Sequence, residues 1–185
     1  MVMENSTNEL LKYYKSIPFH DVEGIDSVVL ILNNEVFLKL DESLEVMANR
    51  IGESLPNTKV HASRGISRVR IDEDNNSTLR LFHCGGLSFN DGTKFLMAPF
   101  GKNGLEIILL RIAKEKQGIG LDEVMMDLII AELLVQLLYV PQLAIRFKNK
   151  PSKKTTEYFK KYDFITENNC KNGEIIMIRR EEQLH

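Results

Sequence analysis

Gly118 and Gly120 stand between two apolar runs, LEIILLRIA from Leu105 to Ala113 and DEVMMDLIIAELLVQLL from Asp122 to Leu138. The first run reads as a strand buried on both faces. The second reads as a helix closed by Pro141. A strand that ends in a glycine turn and feeds a helix aims several unpaired backbone N–H groups, and the positive end of the helix dipole, at one spot. Such a spot suits a pyrophosphate. The glycines permit the close backbone approach that side chains would block. The segment Gln117 to Asp122 is therefore a candidate phosphate cradle, the alternative being an ordinary tight strand-to-helix connection.

Other residue groupings offer weaker chemistry. HASRG and FHCGG set histidines near Ser63 and Cys84, but no strand-elbow motif of the hydrolase type surrounds either. Cys84 and Cys170 are the two cysteines, far apart and without CxxC spacing, so neither a disulfide framework nor a zinc site is expected. Arg146, Lys148, Lys150, Lys153, Lys154, Lys160 and Lys161 form a basic stretch relieved only by Glu157. A solvated helix face explains most of it, and contact with a ligand phosphate or a nucleic-acid backbone are the alternatives.

The chain has 185 residues, 43% of them hydrophobic and 27% charged, enough for a buried core and one domain. Its formal net charge of -2 argues against bulk nucleic acid as the main partner, with a local patch still open. The polar start MVMENSTNE lacks the order of a signal peptide, and no apolar run reaches the length of a membrane span. A cytoplasmic protein without a membrane partner is expected.

The elements that must position the turn follow from periodicity. Asn5-Ser6-Thr7-Asn8 before ELLKYYKSI predicts a capped short helix ending before Pro18. SVVLIL and EVFLKL flank Asn33-Asn34 with the spacing of a two-residue hairpin, and ESLEVMANRIGESL predicts a helix closed by Pro56. From Lys59 to Pro99, KVHAS, SRVRID, TLRLFHC and KFLMAP alternate with Arg64-Gly65, DEDNNS, Gly85-Gly86 and NDG, an antiparallel meander. After the glycine turn and its helix come the strand LAIRF, a helix from Ser152 to Tyr162, and the strands FITEN and EIIMIRR around Asn172-Gly173. The very apolar helix after the turn is buried on most sides or packs against a second subunit, so a homodimer is one arrangement it allows.

LLRIAKEKQGIGLDEVMMDLI resembles motif A of the GNAT superfamily of N-acetyltransferases, a strand leading into Q/R-x-x-G-x-G/A and a long helix, with Gln117, Gly120 and Asp122 at the defining positions. LAIRFKNKPSKKTTEYFKKYDF is similar to that family's next strand and helix, where Ser152, Thr155, Phe159, Asp163 and Phe164 stand in the places of its N-x-x-A-x-x-x-Y-x-x-x-G-F pattern. The resemblance runs from about 104 to 180 and leaves 1–103 without a matching motif. It implies an α/β, acyl-CoA N-acyltransferase-like fold: a mixed, mostly antiparallel sheet, splayed open after the strand at 105–113, with helices on both faces. It also implies acetyl-CoA, or another acyl-CoA, held by Ile112, Gln117, Gly118, Ile119, Gly120, Leu121 and Asp122. The acceptor would be an amine, on a small molecule or a protein, attacking the thioester directly.

Three residues are then candidates for proton transfer: Glu106 and His83 as bases, and Tyr158 beside Phe159, which falls where many members carry a tyrosine acid. Two departures bear on activity. A phenyl ring cannot donate a proton. Asp122 replaces a small residue, and its carboxylate either repels a pyrophosphate, by about 1 to 4 kcal/mol at 4 Å, or simply caps the helix. A non-catalytic domain of the same fold, used for binding or assembly, is the alternative reading.

Overall fold

The computed structural model describes residues 2–117, 121–136, 141–147, 150–167 and 175–180. In chain order the elements are α1 (Val2–Ser16), α2 (Phe19–Val22), β1 (Ser27–Ile31), α3 (Glu35–Ser54), β2 (Val60–Glu73), β3 (Asn76–Phe89), β4 (Lys94–Phe100) and β5 (Gly104–Arg111). A short 3-10 turn (Lys114–Lys116) leads on to α4 (Leu121–Gln136), β6 (Gln142–Phe147), α5 (Lys153–Lys160), β7 (Ile165–Thr166) and β8 (Ile175–Arg180).

The eight strands among the described residues join one sheet in the order β1-β3-β4-β5-β6-β8-β7, with β2 along the other edge of β3. The β1–β3 and β5–β6 pairs are parallel and the others antiparallel. This is the mixed, mostly antiparallel α/β fold flanked by helices that the sequence predicts. Strand alternation separates its two faces. Leu79, Leu81, Leu87 and Phe89 of β3, Phe95 and Met97 of β4, and Leu105 and Ile107 of β5 are buried with α1, α3, α4 and α5. The opposite face carries no helix among the described residues, so the expectation of helices on both faces is not met there.

Several local expectations are corrected. EVFLKL is not the return arm of a hairpin but the start of α3, because Val36, Phe37 and Leu40 share a buried stripe with Leu44, Met47, Ala48 and Ile51. Asn34 is the helix cap: its Oδ1 accepts from Phe37 N at 2.8 Å, and its Nδ2 donates to the carbonyls of Gly101 (3.0 Å) and Gly104 (2.8 Å). Asn5 to Asn8 lie inside α1 rather than capping it. Arg64-Gly65 and Gly85-Gly86 are not turns either. They lie within the 14-residue strands β2 and β3, joined by a tight turn at Asp74 and Asn75, both with positive φ. Gly86 serves close packing: a Cβ there would sit 1.9 Å from the Phe95 carbonyl oxygen of β4.

Other sequence readings hold. Helix α5 is capped by Ser152, whose Oγ accepts from Thr155 N at 3.1 Å. It ends at Lys160, short of the expected Tyr162, and the turn that follows closes at Asp163, whose φ of 67° is a left-handed conformation that Asp tolerates. The turn at Asn172-Gly173, Cys170, Lys148 and the expected last residues of the α4 helix lie outside the described residues. No helix among the described residues is long and apolar enough to cross a membrane.

Candidate functional site

Strands β5 and β6 pair only from Gly104–Gln142 to Ile107–Ile145. Beyond that point β5 continues to Arg111 and β6 to Phe147 without facing each other, so the sheet opens between them. Across from the opening, the β4–β5 ladder passes from Met97–Ile107 to Leu96–Leu109, leaving Ile108 as a one-residue bulge. A bulge bends its strand and leaves the extra residue outside the ladder. The edge-facing backbone groups of Ile108 to Arg111 on the β6 side are thus not taken up by β6.

The opening forms two cavities that share Ile108, Leu109 and Arg146. One, of about 270 Å³, lies on the helical side, walled by Ile107, Ile145, Phe147, Met126 of α4, and Thr155 and Phe159 of α5. The other, of about 300 Å³, lies on the helix-free face over Phe82, Leu96, Ala98, Ile108 and Glu106.

Among the described residues, Glu106 is the only acidic one lining the second cavity. Its side chain is 13% exposed and its Oε1 accepts from Arg146 Nε at 2.6 Å. The pair is legible in retrospect as one opposite charge in each of two neighbouring apolar strands, LEIILL and LAIRF. His83 belongs to the other face, 3.9 Å from Glu9 of α1 and remote in the sheet from Glu106. Tyr158 is buried and donates its hydroxyl to Asp127 Oδ1 of α4 at 3.0 Å; Tyr162 donates to the same oxygen. Burial first, and the bond to Asp127 second, push the Tyr158 phenol well above its usual range. Tyr162 shifts in the same direction for the same reasons. The three candidates for proton transfer therefore do not converge. Phe159, not Tyr158, faces the opening, and its ring meets Phe147 edge-on at 5.9 Å.

The approach to the glycine turn is firmly held. Thr93 Oγ1 accepts from Ala113 N at 2.9 Å, and Asp91, whose Oδ1 accepts from Thr93 N at 2.9 Å, pairs with Lys116. Burial works to raise the Asp91 carboxyl, but the Lys116 and Thr93 contacts outweigh it and leave it below the usual range. Ile112 is buried, and its carbonyl accepts from Gln117 Nε2 at 2.6 Å. Gln117 thus braces the strand exit, as the NDGT turn does, a role the sequence reading did not assign. Gly118, Ile119 and Gly120 lie outside the described residues. Leu121 and Asp122 begin α4, and their side chains are likewise outside the description. Among the described residues no cluster could hold a metal ion.

No family model and no curated protein matches the chain. Solved structures similar to it include a GNAT family acetyltransferase from Elizabethkingia anophelis with acetyl-CoA bound, 12% identical over 68% of this chain and 99% of that one, with a TM-score of 0.43. An acetyltransferase from Thermus thermophilus is 12% identical over 78% of this chain and 88% of that one, at 0.39. A protein of Pyrococcus horikoshii is 14% identical at 0.39; 53% of this chain is matched, spanning 64% of that one.

Proposed function

We propose that the chain is an acyl-CoA-dependent N-acyltransferase whose acyl carrier lies in the opening between β5 and β6 and whose amine acceptor approaches from the helix-free face. The observation that carries this reading is the end of β5–β6 pairing at Ile107–Ile145, opposite the Ile108 bulge. A slot of that form offers edge-facing backbone N–H groups and apolar walls at one place, which fits a slender acyl chain ending in a polar carbonyl.

Acyl-CoA would supply a thioester whose carbonyl carbon accepts the amine as the C–S bond breaks, the coenzyme leaving as a thiolate that takes its proton from bulk solvent. Backbone N–H groups of the β5 edge beyond Ile107 are assigned to the carbonyl oxygen, where negative charge develops. Met126, Phe147 and Phe159 keep water from the slot. The Gln117 to Asp122 turn is assigned to the pyrophosphate, with Ile112 and Gln117 setting the path of the chain into it. Glu106 is assigned to the acceptor, its carboxylate taking a hydrogen bond from the amine and then its proton as the new C–N bond forms. Tyr158 receives no part, since its proton is held by Asp127 and by burial.

Calorimetry with acetyl-CoA tests the reading. Binding in the micromolar range supports it, and no heat and no thermal shift at millimolar acetyl-CoA sinks it. Binding without thiol release across a broad amine panel would favour the non-catalytic alternative.

A further inference from the structure

The cavity on the helix-free face continues from Glu106 across β4 to β3, where it is lined by Arg80. Arg80 is half-buried and makes no hydrogen bond or ion pair among the described residues. It is flanked in register by Val29 of β1 and Val69 of β2, which are 44% and 39% exposed. A guanidinium between two valines on this face gives up hydration with no partner among the described residues in return. The other charges lining the cavity are engaged: Arg146 with Glu106, and Arg68 with Asp21 at 3.2 Å. Among the described residues, the cavity thus carries one uncompensated positive charge, at the end away from the opening.

Spacing turns this into a ligand description. The β3–β4 register places Ala98, the partner of Glu106, one step beyond Met97–Gly85 and so beside Cys84, four residues from Arg80. Two strand spacings and four residues along a strand set the Cα atoms of Glu106 and Arg80 about 16 Å apart. Allowing for the reach of both side chains, their charged ends address groups roughly 10 Å apart, the length of an extended tripeptide. Between them the floor is Phe82, Leu96 and Ala98, with Ile31 at the side.

We infer that Arg80 is an anion-recognition residue. The acceptor is a short hydrophobic peptide or a similar apolar amine, with its amine at Glu106 and a carboxylate on Arg80. This inference rests on the acyltransferase reading for the fate of the amine, but not for the binding itself.

Calorimetry with trileucine and with trileucine amide, each with and without acetyl-CoA, tests it. The free acid binds roughly tenfold to a hundredfold more tightly than the amide, the usual worth of a charge-assisted hydrogen bond. Arg80→Met abolishes that difference and Arg80→Lys keeps part of it, while acetyl-CoA affinity and thermal stability stay unchanged. Equal binding of acid and amide, binding of neither, or a difference that survives Arg80→Met overturns the inference and leaves the acyltransferase reading standing if acetyl-CoA binds. A difference that depends on Arg80 in a protein that fails to bind acetyl-CoA supports the site and sinks the transfer reaction.

Discussion

At the scale of single residues, the hydroxyl of Tyr158 shows how a candidate for chemistry becomes part of the framework. Two phenols converge on one carboxylate oxygen of Asp127, tying α5 to α4. The folded state raises the Tyr158 phenol above its ordinary value near 10. Below that pH the proton is present in both states and the bond contributes in full. Above it the unfolded chain ionises while the folded one keeps its proton, so stability is lost as pH rises toward the folded value. Tyr158→Phe should cost about 1 to 3 kcal/mol at pH 7, measured by denaturant unfolding, and should lose stability less steeply than the wild type above pH 10. These tyrosines are visible in the sequence. Asp127 was not visible as their partner, because a 31-residue separation leaves no periodic trace. The Glu106–Arg146 pair was hidden for a similar reason: each charge alone reads as noise in an apolar strand, and only their adjacency gives them meaning.

At the scale of elements, the stretch from Ile112 to Gln117 depends on a hairpin far from it in sequence. Thr93 is almost fully buried, and its hydroxyl is the partner of the Ala113 N–H just past the end of β5. Thr93→Val keeps the shape and removes the acceptor, orphaning a buried donor. A loss of about 1 to 3 kcal/mol in unfolding free energy is expected, with weaker acetyl-CoA binding because the path from Ile112 to Gln117 loosens; thermal melts and calorimetry on the same variant check both. The elements themselves were partly legible. From Gly104 onward the strand, helix, strand, helix, strand, strand order was readable because each period is long and bounded by breakers. In the first hundred residues, Asn33-Asn34 and the glycine pairs mimic turns. The helical stripe of α3 overrides the first, and the long β2–β3 ladder overrides the others, since neither competing interaction is local.

At the scale of the whole molecule, described residues on both sides of Gly104 share one buried cluster. Leu44, Met47 and Ile51 of α3 are buried in the same cluster as Met125, Ile129 and Leu133 of α4, and Arg50 pairs with Glu132 at 3.5 Å. The strand β5 has β4 as its long partner, so the half that carries the recognisable motif leaves that edge of its sheet bare when alone. A fragment of residues 104–185 should show no cooperative thermal transition by circular dichroism, whereas the full chain unfolds in a single step; independent melting of the fragment would divide the chain into two units. The sheet also carries an irregularity beside its opening. Met97–Ile107 and Leu96–Leu109 would become consecutive rungs if Ile108 were absent, and Leu109 would still turn to the helix-free face and Leu110 to the helices. Ile108 is therefore a surplus letter in β5: the architecture can be spelled without it, and its cost in regular pairing is borne where β5 and β6 part.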